Sequence, residues 1–144
     1  MAVTGAMVAA MSAACSSQTE QYCGALEENK QQIRDLAKSA QDQDGDLFDD
    51  SLEVFGELKA EAPDDVVDEW DTLIFALEGL DGALDDAGIS AGEYQLGQRP
   101  PGVTEQEMTA IENAAEELRS EPVVAAGDGI EQHAIDVCKT DLTL

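Results

Sequence analysis

"PDDVVDEWDTLIFALEGLDGAL", residues 63–84, is the stretch on which the fold turns. Val66, Val67, Trp70, Leu73, Ile74, Leu77, Leu80 and Leu84 recur mostly at three- and four-residue steps. That period lines one face of an α-helix, whereas a half-buried strand would alternate. Pro63 suits a first helical turn, where a missing N–H is no loss, and Gly88 supplies a stop. Asp64, Asp65, Asp68 and Glu69 read as a solvated first turn whose charge complements the helix dipole. Trp70 lies on the apolar stripe and is read as core, not as a ligand platform. A helix so amphipathic must bury its stripe against other elements.

Working outward, the same period continues on both sides. Tyr22, Leu26, Ile33, Leu36, Ala37 and Ala40 predict a first helix over about residues 18–40, ended by "QDQDGD" at 41–46. Leu47, Phe48, Leu52, Phe55 and Leu58 predict a second, reaching about residue 60. Residues 88–103, "GISAGEYQLGQRPPGV", form one long Pro/Gly connection, and Pro100 and Pro101 forbid helix there. Thr104 and Glu107 then fit a capping box, with Met108, Ile111, Ala115 and Leu118 facing inward. In "SEPVVAAGDGIEQHAIDVC", residues 120–138, Ser120 is the expected cap and Pro122 the first-turn residue. Val123, Ala126, Ile130, Ala134 and Val137 are expected inside. Gly127 and Gly129 each cost about 1 kcal/mol relative to Ala and mark where this helix would break. There is no alternating strand pattern and no internal repeat, so the expectation is an all-α, four- to five-helix bundle.

The chain has 144 residues, enough for a single core. Its 32 acidic and seven basic residues give a formal charge of −25. Nucleic acid is excluded as a partner, because binding phosphates needs a basic surface. Bare contact with anionic lipid heads is disfavoured for the same reason. The acids are interleaved with periodic apolar residues, which describes a folded, acid-coated protein and not a disordered tail. Adaptation to high salt is a second source of such a surface, and self-repulsion should lower stability at low salt.

Residues 1–14, "MAVTGAMVAAMSAA", hold no charged side chain and read as the apolar region of a signal peptide. They are too few to span a bilayer, which takes about 20 apolar residues. Ser12, Ala13 and Ala14 precede Cys15, and the chain then turns polar at Ser16. Small residues leading to a Cys, followed by a polar tether, resemble the lipobox of bacterial lipoproteins. That resemblance implies a diacylglyceryl group on the Cys15 thiol and cleavage before it. Ser12 stands where the lipobox prefers Leu, and no Lys or Arg precedes the apolar run, which would place the natural start upstream of Met1. The competing reading is an Ala-rich, frayed N-terminal helix on a cytosolic protein. The expected organisation is a signal peptide at 1–14, a tether at 15–20 and a helical domain at 21–144.

With Cys15 given to lipid, Cys23 and Cys138 remain, an even number in a compartment that permits disulfides. The simplest reading is a bridge between the first and last helices, contributing about 4–5 kcal/mol on the loop-entropy account. Zinc is the rival. It lacks ligands, since Cys23, Cys138 and His133 carry no CxxC or HxxxH spacing.

Three further patterns suggest chemistry. Residues 88–92 match GxSxG, with Ser90 as the nucleophile, but that elbow works where a strand turns into a helix, and here it follows a long helix. Ser90 with Glu93 reads instead as a local cap. In "DQDGDLFDDSLE", Asp42, Asp44, Asp46 and Glu53 take calcium-loop positions, yet Leu47 stands where the loop requires Gly. Placing Gly45 in that position puts Ala40 first and Ser51 last, so an acidic turn with Asp46 as cap competes. For a bundle di-iron site His133 would need an acid at Ile130 and a second His, so a partly exposed helix histidine is expected.

"EQYCGAL" (20–26), "APDDVVDEWDTL" (62–73), "AGISAGEYQLGQRPPGVT" (87–104) and "GIEQHAIDVCKTDL" (129–142) together resemble small lipoproteins and secreted proteins of actinobacteria. The resemblance implies an extracytoplasmic helical domain with a Cys23–Cys138 bridge. It implies no activity and carries over no functional residues. The expectation is a non-enzymatic binding or scaffolding protein without a cofactor. It would be lipid-anchored on the extracytoplasmic face of the cell membrane, or secreted, and able to meet a basic protein partner. The alternatives are calcium binding through the 42–53 loop and hydrolysis by Ser90 with His133.

Overall fold

The computed structural model describes residues 12–42, 47–94 and 98–142. Among them are five α-helices and no strand. They are α1 (Ser12–Asp42), α2 (Leu47–Glu61), α3 (Val67–Ala87), α4 (Glu105–Leu118) and α5 (Glu121–His133), with a 3-10 turn at Ala91–Glu93 and a closing π turn at Ala134–Cys138. The expected all-α bundle is the observed one, and its first helix is bridged to its last helical segment by Cys23–Cys138.

α3 is the hub. It packs against α2, α4 and α5, while α1 lies on α2 and on the π turn. The stripe quoted above is the reason: Val66, Trp70, Leu77, Leu80 and Leu84 are buried, and Leu73 and Ile74 half-buried. The upper part of α3 joins Tyr22, Leu26 and Ile33 of α1, Val54, Phe55 and Leu58 of α2, and Ile130 of α5 in one cluster. The lower part, Leu80 and Leu84, forms a second cluster with Ile111 and Ala115 of α4. Phe48 and Leu118 pack against both.

Helix ends follow local chemistry with informative differences. Thr104 Oγ1 accepts from the Glu107 N–H at 3.2 Å and the Thr104 N–H donates to Glu107 Oε2 at 2.7 Å, the expected capping box. Gly88 adopts φ 66°, and the Gly88 and Ile89 N–H groups close the end of α3 on Asp85 O and Leu84 O. α3 starts at Val67, not Pro63. Residues 63–66 form a turn in which the Val66 and Val67 N–H groups both donate to Pro63 O, because Val66, at φ −140°, leaves helical geometry. α1 starts at Ser12 and runs through residues 15–20, the stretch read as a tether, and Gln18 Nε2 donates to Ala62 O at 3.0 Å. Ser120 occupies the cap position of α5, but its hydroxyl caps nothing; Pro122, two residues on, removes one of the two N–H groups such a cap can take. α5 passes Gly127 and Gly129 unbroken.

Candidate functional site

Cys23 in α1 and Cys138 in the π turn are bonded, with their Cα atoms 5.0 Å apart. The turn sets this up by widening the helix: the Lys139 and Thr140 N–H groups both donate to Ala134 O, the latter at 2.9 Å. The wider turn brings Cys138 toward α1 and leaves Val137 45% exposed, so the inward position expected for Val137 is wrong.

Beside the bridge, Tyr22 and Trp70 are fully buried, and Trp70 Nε1 donates to the Tyr22 hydroxyl at 2.9 Å. Burial pushes the Tyr22 hydroxyl up to about 12; the Trp70 hydrogen bond opposes this, and the nearby Asp65 and Glu69 charges add to it. His133 meets the Tyr22 ring edge-on, centroids 5.5 Å apart, with Nε2 3.5 Å from Asp65 Oδ1. His133 is of intermediate exposure, with its side chain 9% exposed where the ring lies against Tyr22 of α1. Ile130 is core, so no acid stands one turn before His133.

Ser90 lies elsewhere. Its N–H and Oγ–H both donate to Glu93 Oε2, at 2.9 and 3.0 Å, and these bonds hold the Glu93 carboxyl below its usual range. It borders a hollow of about 290 Å³ with Phe48, Asp49, Asp81 and Asp85, next to the α3–α4 cluster, whereas His133 belongs to the Tyr22 end. The structure does not bring Ser90 and His133 together at this hollow. Asp81 is raised by burial and by the Asp85 and Asp49 charges, a convergence invisible in sequence because α2 and α3 bring it about.

Of the calcium-loop candidates, Asp44 and Asp46 lie outside the described residues, Asp42 ends α1, and Glu53 is exposed on α2. Among the described residues, no group of three or more His, Cys, Asp or Glu side chains is placed to hold a metal ion. Cys15 lies within α1, in the segment before Gln18. No described helix is long and apolar enough to cross a membrane.

The feature sequence reasoning missed is on α3. Phe75 is 73% exposed, the most exposed of the large apolar residues described. It borders a groove of about 500 Å³ with Ile74, Ala76 and Val123, edged by Glu78 and Glu117. Lys59 is also there, ion-paired to Asp71. Val124, 53% exposed, follows Val123 on α5. Glu117 also lines the adjoining hollow of about 750 Å³ with Tyr94, Glu116, Arg119 and Ser120, where the buried Tyr94 and Ser120 hydroxyls have no hydrogen-bond partner. A sequence signal existed. "LIFAL", residues 73–77, is five apolar residues in a row, and one helix face cannot take them all.

Searches against protein families, curated proteins and solved structures return no match to this chain. The chain is a disulfide-bridged bundle with a carboxylate-edged apolar groove.

Proposed function

We propose that this chain is a non-enzymatic binding or scaffolding protein, held by lipid on Cys15 at the extracytoplasmic face of the cell membrane. The observation that carries this reading is the pairing of Cys23 with Cys138, which leaves Cys15 as the remaining cysteine of the three. Disulfides persist in oxidising compartments, and Cys15 directly follows an uncharged, small-residue run, as a lipidated Cys does. Each buried methylene of an acyl chain contributes about 0.8 kcal/mol, so two chains would hold the protein without a spanning helix. The likeness of four sequence stretches to small actinobacterial lipoproteins supports the same location. The acidic surface favours a basic protein as the partner.

The test is the intact, non-reduced mass of protein made in its native host from its own gene, from membrane and soluble fractions. A chain beginning at Cys15, heavier by acyl groups and lighter by the hydrogens of one disulfide, is expected in the membrane fraction. An unprocessed chain with all three thiols free would overturn the reading.

A further inference from the structure

We propose that the groove around Phe75 docks a basic protein segment, which seats an apolar side chain against Phe75 and Ile74 and sets its cationic groups on Glu78 and Glu117. The inference rests on the binding role proposed above and names its surface and partner chemistry. Two observations meet at this place. An aromatic ring is held 73% exposed in the middle of the hub helix, over a groove floored by the buried Val123 and the half-buried Ile74. Large exposed aromatics beside a pocket are the usual anchors of protein interfaces. The groove's edge is net negative: Lys59, the cation lining it, is already paired with Asp71, and among the described residues Glu78 and Glu117 make no ion pair.

The charge decides the occupant. A second copy of a chain carrying −25 would bring its own acids to this rim, and an anionic lipid surface would meet the same repulsion. A segment with Lys or Arg flanking an aliphatic or aromatic residue satisfies both parts. The rim charges would speed encounter and confer salt dependence, while the apolar seat would set the dissociation rate.

The experiment pans a random dodecapeptide display library on the full, disulfide-closed chain. Enriched peptides are then synthesised and titrated by fluorescence anisotropy against the wild type, Phe75→Ser, Phe75→Leu and the double variant Glu78→Gln/Glu117→Gln. The expected peptides carry an apolar residue flanked by basic ones. Phe75→Ser should weaken binding at least about tenfold, Phe75→Leu should recover most of the loss, and the double Gln variant should weaken binding and flatten its salt dependence. Because Phe75, Glu78 and Glu117 are all exposed, each variant should keep close to the wild-type melting temperature, which separates a lost seat from a lost fold. The proposal is overturned by failure to enrich, by enriched peptides without basic residues, or by binding indifferent to Phe75→Ser. A Phe75-dependent dimer in sedimentation, or Phe75-dependent binding to phosphatidylglycerol vesicles, would overturn it too. The outcome is separable from that of the mass measurement: three free thiols would remove the envelope location and leave the peptide result to stand or fall alone.

Discussion

The indole N–H of Trp70 donates to the hydroxyl of Tyr22 at 2.9 Å inside the core, joining α3 to α1 next to the Cys23–Cys138 bridge. A buried polar pair of this kind is costly to halve, because the group left behind keeps its desolvation penalty and loses its compensation.

Tyr22→Phe should therefore lower the unfolding free energy by about 1–3 kcal/mol, although it removes a single oxygen. Urea unfolding followed by Trp70 fluorescence measures it. A midpoint equal to the wild type's would mean that the indole finds another acceptor.

The same hydroxyl sets an alkaline limit. Its pKa is raised from 10.0 to about 12, so the folded chain holds the proton where the unfolded chain releases it. That stabilisation is complete below the unfolded value and is lost as pH climbs toward 12, a fall of about 2–3 kcal/mol. Unfolding free energies measured across this range should decline less steeply in Tyr22→Phe than in the wild type.

The bridge closes a separation of 115 residues. Replacing both Cys23 and Cys138 by Ser should cost about 4–5 kcal/mol on the loop-entropy account. Comparing denaturant midpoints of the oxidised wild type and the double variant checks this, and unchanged slopes would show that the unfolded ensembles remain comparable.

α5 offers a paired test of packing. Gly127 has open space where a Cβ would go, so Gly127→Ala should stabilise by about 0.5–1 kcal/mol through helix propensity. At Gly129 the new Cβ would lie 3.1 Å from Glu69 Cγ, so Gly129→Ala should gain less or lose stability as Glu69 is displaced. Thermal unfolding of the two variants ranks them, and equal gains would show that Glu69 moves aside freely.

Much of this molecule was determined by the sequence itself, for a local reason. Helical period, the Thr104–Glu107 box, the Gly88 stop and the Ser90–Glu93 pair depend on residues within a turn of one another, and each is found where it was read. The Cys23–Cys138 bridge was legible from cysteine arithmetic once the helices were placed. Tertiary structure alone decided the rest, because which face of a helix is inside depends on what leans against it. The π turn at Ala134–Cys138 presents Cys138 to α1 and turns Val137 out. Tyr22 of α1 lies against His133, and α2 brings Asp49 to Asp81 and Asp85. With α2, α4 and α5 claiming the rest of α3, five consecutive apolar residues outnumber the positions a single face can bury, and Phe75 is the one left to solvent.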